Sequence, residues 1–194
     1  MSILRIIIGI TGASGAVYGV RLVEKLRLSP GVQLHLVITR SGERTLTLET
    51  GRKPAEIRAL AHSSYPIDDV GAALASGSFL THAMVVAPCS IRTMSAIAAG
   101  ISSNLLLRAA DVTLKERRRL VLMVRESPLH LGHLRTMAAL TEMGAIIAPP
   151  IPGFYFKPQT LQELVDHSVD RVLDLLGLPA PDARRWQEEE EEQR

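Results

Sequence analysis

The residues best equipped for chemistry stand where apolar runs give way to small or polar side chains. Gly12-Ala13-Ser14-Gly15 follows the run Ile6-Ile7-Ile8-Gly9-Ile10 and precedes an amphipathic stretch. A strand, a tight turn and a helix in that order aim the helix's first amides at whatever occupies the turn. The helix dipole adds to their pull on an anion, most often a phosphate. Small side chains also let a ligand come close to the backbone. The spacing is neither G-x-G-x-x-G nor that of a P-loop with its lysine, so an anion-binding turn and a plain strand-to-helix turn both stay open. Pro88-Cys89-Ser90-Ile91-Arg92-Thr93 repeats the arrangement, with Ser90 placed to cap a helix. Two such turns beside one sheet edge favour a two-walled site for an anion or nucleotide.

Other candidates cluster around the same kind of position. Arg125-Glu126-Ser127-Pro128 ends an apolar run, where a charged pair is unexpected for a structural position and where loops carry function. Glu49 is a second carboxylate, which reads equally as an exposed helical residue. Arg108 and Lys115 are seven apart and share a helix face, whereas Arg117, Arg118 and Arg119 are expected to face water. Phe154-Tyr155-Phe156 gathers three of the seven aromatic residues. Such a cluster suits a planar cofactor or a cationic intermediate, or a hydrophobic plug. Cys89 reads as a small buried hydrophobe with nucleophilic catalysis as the rival. His130 and His133 have a metal-like spacing but no third ligand at a suggestive distance.

Positioning these groups falls to alternating strands and helices. Strands are expected at 6–10, 32–39, 83–87, 120–124 and 145–148. Helices are expected at 16–26, 41–50, 54–61, 90–99, 103–116, 130–143 and 161–176, the first stopped by Ser29-Pro30-Gly31. The Gly/Ser-rich stretch 62–82 carries no clear element. Near-continuous apolar strands separated by helices imply an α/β fold, one domain with a mostly parallel sheet flanked by helices. Ligands of such sheets bind beyond the carboxyl ends of the strands. Residues 12–15, 39–42, 88–93 and 125–130 meet there. The tail, residues 178–194, with its run Glu188-Glu189-Glu190-Glu191-Glu192, reads as a solvated, partly disordered end beside the domain at 1–177.

The 194 residues suffice for one core, and a net charge of +2 without a basic patch argues against nucleic acid. No apolar run is long enough to span a bilayer. A single cysteine excludes an internal disulfide and suits a reducing, cytoplasmic setting.

The motifs recur in a recognisable order over residues 3–177. They are Gly12-Ala13-Ser14-Gly15-Ala16-Val17-Tyr18-Gly19, Leu48-Glu49-Thr50, Ser76-Gly77-Ser78-Phe79, Pro88-Cys89-Ser90, Arg108-Ala109-Ala110-Asp111-Val112, Leu114-Lys115-Glu116-Arg117-Arg118, Arg125-Glu126-Ser127-Pro128-Leu129 and Pro152-Gly153-Phe154-Tyr155. Together they resemble the UbiX-type flavin prenyltransferases, a branch of a flavoprotein group that also holds cysteine-derivative decarboxylases. The resemblance implies a flavodoxin-like Rossmann fold and a homo-oligomer, a dodecamer built of trimers. It implies transfer of a dimethylallyl group from dimethylallyl monophosphate to reduced FMN, at N5 and C6 of the flavin. No metal is implied, and a UbiD-type decarboxylase would receive the product. Carried onto this chain, the FMN contacts are Gly12, Ala13, Ser14, Thr39, Ser90, Ile91, Arg92, Thr93 and Arg125. The prenyl phosphate contacts are Tyr155 and Arg171, with Lys115 and Arg108 as further phosphate-binding positions. Ser14, Glu49 and Glu126 are the implied catalytic residues. Arg184-Arg185-Trp186 resembles a family ending, and the glutamate run after it departs from the pattern. Two rivals stand beside this reading: an FMN-dependent decarboxylase of a cysteine derivative using Cys89, and a non-catalytic FMN carrier or decarboxylase partner.

Overall fold

The apolar runs form a six-stranded, all-parallel sheet in the order β3-β2-β1-β4-β5-β6. The computed structural model describes residues 3–178 together with Ala180 and Ala183. Its strands are β1 (Leu4–Ile10), β2 (Val32–Ile38), β3 (Ser63–Tyr65), β4 (Ala83–Cys89), β5 (Arg119–Val124) and β6 (Ile146–Ile147). The helices are α1 (Ala16–Leu28), α2 (Arg40–Thr50), α3 (Pro54–Arg58), α4 (Ile91–Ala98), α5 (Leu105–Lys115), α6 (Leu131–Glu142) and α7 (Leu161–Leu176). Two compact units follow one another along the chain, Met1–Pro149 and Pro150–Arg194. The first contains the whole sheet, and the second contains α7. The residues from Arg184 on, including the glutamate run, lie outside the described residues.

The strand order reverses direction between β1 and β4, so the first unit has the doubly wound Rossmann arrangement. Without the three-residue edge strand β3, the remaining order is that of a flavodoxin. The innermost strands are the most apolar: Ile6, Ile7, Ile8 and Ile10 of β1 are at most 1% exposed, and all seven residues of β4 are buried. Helices cover both faces because both faces are hydrophobic. Leu105, Leu106, Ala109 and Ala110 of α5 join Met84 and Val86 of β4, Leu120 and Leu122 of β5, and Met94 and Ile97 of α4 in one core cluster. α1 lies so close to β4 that a Cβ on Gly19 would stand 2.2 Å from the carbonyl oxygen of Ala87.

Several elements depart from the sequence expectation for local reasons. β3 arises in the stretch read as featureless, because three residues with two exposed-type serines carry no usable pattern, yet they pair with His35, Leu36 and Val37. α5 begins at Leu105 instead of Ser103, because the Asn104 side chain accepts from the Leu107 amide at 3.0 Å and so fixes the first turn. α3 stops at Arg58, and His130 precedes α6 as its cap. Arg118 does not face water. Its guanidinium donates to the carbonyls of Gly77 (2.6 Å) and Phe79 (2.9 Å) and to the Thr81 hydroxyl (3.2 Å), anchoring the loop before β4.

β2 carries a buried histidine, His35, 5% exposed. Its Nδ1 lies 2.9 Å from the Tyr65 hydroxyl, and the Phe79 ring meets it edge-on at 5.4 Å. Burial, helped by the charges of Arg5 and His62, pushes its pKa down to about 4. The unfolded chain therefore takes up this proton first on acidification. His35 contributes stability that is complete above pH 6.5 and is lost as pH falls towards 4, in all about 3 kcal/mol. Denaturant titrations across that window should give a shallower acid limb in His35→Gln than in the parent. Superimposable limbs would contradict the assignment.

Candidate functional site

The carboxyl ends of the four central strands are stitched together in sheet order. Thr39, after β2, donates its amide to Ile10 at the end of β1 (3.0 Å), and Arg125, after β5, donates its amide to Cys89 at the end of β4 (3.1 Å). Between them lies Thr11, 1% exposed. Its amide donates to the Pro88 carbonyl at 3.3 Å and its hydroxyl donates to the same oxygen at 2.7 Å. That hydroxyl accepts in turn from the Ser90 amide at 2.9 Å. One side chain thus joins the β1–α1 turn to the β4–α4 turn at the point where strand order reverses. The β4–β5 register shifts between Val86 and Cys89, so β4 carries an extra residue just before its turn.

The two turns then diverge in chemistry. At the β1–α1 turn, Gly12 is required for packing: a Cβ there would stand 2.5 Å from Cβ of Ser41 in α2. Gly15 holds φ at 98°, in the left-handed region. The carboxylate of Glu49, from α2, accepts from the amides of Gly15 (2.9 Å) and Ala16 (2.8 Å), and from the Ser14 hydroxyl. The anion at the start of α1 is therefore a side chain of the protein itself, where the sequence suggested amides open to a ligand. Partial burial pushes the Glu49 carboxyl up. The Ser14 hydroxyl, the Ala16 and Gly15 amides and the Arg125 charge outweigh it and hold the group below its ordinary value. Glu49 is ionised at neutral pH.

The start of α4 is arranged differently. Ser90 caps the helix, accepting from the Thr93 amide at 3.3 Å, and its hydroxyl donates to the Thr93 hydroxyl at 3.1 Å. The amides of Ile91 and Arg92 occupy the helix's first turn, where no intrahelical acceptor exists. Arg92 and Arg125 are both exposed. The Arg125 charge is felt by Glu49, and by Tyr18, whose phenol burial raises and Arg125 lowers. Thr39 caps α2 by accepting from the Gly42 amide at 3.0 Å, and its hydroxyl stands 3.2 Å from that of Ser41. Glu126 is exposed and accepts from the Ser127 amide at 3.0 Å. Gly12, Ala13, Ser14, Thr39, Ser90, Ile91, Arg92, Thr93, Arg125 and Glu126 accordingly lie in the turns that follow β1, β2, β4 and β5 or in the helix turns they open, and Glu49 reaches the first of these turns from α2. This edge carries amide donors, hydroxyls and two exposed guanidiniums, a donor set suited to a phosphate.

Arg108 and Lys115 engage other partners. Arg108 donates to Asp111 (2.6 Å) and to the Ala75 carbonyl (3.1 Å), and Lys115 pairs with Glu116. Cys89 is 0% exposed, and burial pushes its thiol up to about 12. A thiol held protonated at neutral pH is no nucleophile. His130 caps α6 through Nδ1, which accepts from the Gly132 amide at 3.0 Å, and its ring lies 3.5 Å from that of His133. Among the described residues, no three His, Cys, Asp or Glu side chains converge as a metal site.

The second unit holds the remaining candidates. Tyr155 is 43% exposed, and its hydroxyl is 2.7 Å from Nε2 of His167 on α7. The Phe156 ring stacks on His167 at 4.5 Å. Arg171, one turn further along α7 and exposed, pairs with Asp174 at 2.8 Å. His167 and Thr11 were not singled out in the sequence. For His167 the signal was there, four residues before Arg171 on one helix face; for Thr11 nothing in the sequence points across to Pro88.

The chain matches the family model described as Flavoprotein over residues 1–173. The flavin prenyltransferase UbiX of Thauera aromatica is 50% identical over 188 residues, covering 97% of this chain and 96% of that protein. The crystal structure of a dodecameric FMN-dependent UbiX-like decarboxylase from Escherichia coli O157:H7 superposes with a TM-score of 0.93 at 47% identity, covering 95% of this chain and 100% of that one. AnUbiX, solved in complex with FMN and dimethylallyl pyrophosphate, gives a TM-score of 0.93 at 45% identity, covering 95% of this chain and 97% of its own.

Removing the charge of Glu49 should loosen the start of α1. Glu49→Gln is expected to lower stability by about 1 kcal/mol, the usual size of a capping interaction at a solvent-accessible helix end. Because the folded carboxyl is held below its ordinary value, this contribution is present at neutral pH and fades as pH falls through the range of carboxyl titration. Chemical denaturation at pH 7 and at pH 3 should therefore separate parent and variant more widely at the higher pH; an equal gap at both would count against the charged interaction.

Proposed function

The chain belongs to the flavoprotein family, and from that premise we propose that it is a flavin prenyltransferase, joining a dimethylallyl group to reduced FMN. The observation that carries this is the bonded edge at the β1–β4 switch point, in a chain half-identical along nearly its whole length to flavin prenyltransferases. The flavin binds against Gly12, Ala13, Ser14 and Thr39 on one side and Ser90, Ile91, Arg92, Thr93 and Arg125 on the other. With the α1 amides held by Glu49, its phosphate takes the first turn of α4. Reduced FMN supplies the electron-rich ring that accepts the prenyl carbon, at N5 and C6. Tyr155 and Arg171 hold the phosphate of the donor, dimethylallyl monophosphate, and Lys115 and Arg108 add cationic charge.

The protein's own groups do the rest. Breaking an allylic C–O bond leaves a phosphate dianion, which Arg171 and the Tyr155 hydroxyl stabilise by charge-assisted hydrogen bonds. To do so the exposed Arg171 exchanges its partner Asp174 for the dianion. Ser14 presents a hydroxyl whose proton is held by the ionised Glu49, so its oxygen is oriented and polarised. Glu126, exposed at the end of β5, is available to take a proton. The buried, protonated Cys89 argues against the decarboxylase reading in which it is the nucleophile.

The same reading extends to the setting. The catalytic unit is residues 1–177, the assembly is a dodecamer of trimers, and the product passes to a UbiD-type decarboxylase in the cytoplasm. Among the described residues no helix is long and apolar enough to cross a membrane.

Anaerobic incubation with reduced FMN and dimethylallyl monophosphate should yield extracted flavin heavier by one five-carbon unit. Bound flavin of unchanged mass would leave only an FMN carrier. Arg171→Ala should lower single-turnover prenylation at least about tenfold, the loss of about 1.5–3 kcal/mol expected for a charged hydrogen bond made in the transition state. FMN affinity should stay within about threefold. Matched losses of both quantities, or neither, would contradict the donor role.

A further inference from the structure

α6 is the helix of the first unit that the fold covers least. Of its twelve residues only Leu140 is buried, whereas α5 buries seven of eleven. α6 packs against α4 and β6, and its other side is apolar where a solvent-facing helix is normally polar. Leu131, Leu134 and Ala138 recur there at i, i+3 and i+7, on one stripe. Leu131 is 59% exposed, Leu134 is 49% exposed, and Ala138 is exposed. Arg135 and Glu142 stand on the same stripe, seven residues apart and both exposed. Among the described residues neither has an ion pair.

Symmetry and charge together select what covers this stripe. A closed assembly of twelve identical chains contains two-fold axes, and a surface lying on such an axis must match itself. The α6 stripe does so when laid antiparallel on its own copy. With the axis between Ala138 and Ala139, Arg135 comes level with the partner subunit's Glu142, and Glu142 with the partner subunit's Arg135. The alanines between these two ion pairs allow a close approach, and the leucines fill the flanks. A parallel pairing would set arginine against arginine and glutamate against glutamate. One charge of each sign also gives the stripe no net pull on a singly charged surface such as a nucleic acid or an anionic membrane. We infer that α6 is the contact that joins trimer to trimer, its outer face packing antiparallel on α6 of a second copy across a two-fold axis. This rests on the reading that the chain assembles as a dodecamer of trimers. Burying Leu131, Leu134 and Ala138 then supplies the apolar burial that α6 lacks within one chain, and the two Arg135–Glu142 pairs fix the register.

The test is light scattering on the full-length protein at micromolar concentration, with circular dichroism to show that each variant is folded. The variants are Arg135→Glu, Glu142→Arg, the double reversal Arg135→Glu/Glu142→Arg, and Leu134→Asp. Each single reversal sets like charges level on both sides of the axis, and the double reversal restores both attractions. The parent should be a dodecamer. Arg135→Glu, Glu142→Arg and Leu134→Asp should each give trimers, a particle mass about fourfold lower, and the double reversal should return to the dodecamer. A folded Arg135→Glu or Leu134→Asp that remains dodecameric overturns the inference, and so does a double reversal that stays trimeric. A parent that is itself a monomer or a trimer overturns the assembly reading and this inference with it. The mass of the extracted flavin decides the prenyltransferase reading separately in every case.

Discussion

The Thr11 hydroxyl is the contact on which the carboxyl edge of the sheet depends. It gives its hydrogen to the Pro88 carbonyl and takes one from the Ser90 amide, so a single buried side chain satisfies one polar group on each side of the β4–α4 turn. Parallel strands cannot join neighbouring turns by hairpins, and the order β2-β1-β4-β5 leaves β1 and β4 adjacent in space but more than seventy residues apart in sequence. Something must register their ends, and here it is done by hydrogen bonds inside the core, where each unsatisfied group would cost about 1–3 kcal/mol. Thr39 and Arg125 extend the same stitching outward through their amides.

That fixed edge lets two similar turns do different work. Glu49 reaches from α2 to the first amides of α1 and neutralises the local dipole from within, while Gly12 allows α2 to come close enough for the reach. α4 keeps its first turn and has only a serine cap. One turn is thus an internally closed anion site that orients Ser14, and the other has the donors for a phosphate. The asymmetry depends on one carboxylate, held ionised by the amides it binds.

Much of this was legible in the sequence, because parallel α/β proteins write their buried strands as apolar runs and their helices as periodic ones. The four loops at the sheet edge were visible for that reason, and the motif order pointed to a family that the comparisons bear out. What was hidden depends on partners distant in the chain. β3 has three residues and exists only by pairing with β2. Arg118 looks like its exposed neighbours until its three acceptors before β4 are in place. Thr11 is an ordinary threonine at the end of a strand, and its role comes from a carbonyl seventy-seven residues away. Glu49 was visible as a carboxylate, but whether it would meet a ligand or a helix end depended on how closely α2 approaches Gly12.

The central claim is that the flavin site is built on the clamped switch point, and FMN affinity in Thr11→Val and Thr11→Ser tests it most directly. Valine keeps the volume and severs both hydroxyl bonds; serine keeps them. The account predicts that Thr11→Val, with its circular dichroism unchanged, binds FMN at least about tenfold more weakly, while Thr11→Ser stays within about threefold of the parent. Parent-like FMN affinity in a folded Thr11→Val would contradict it.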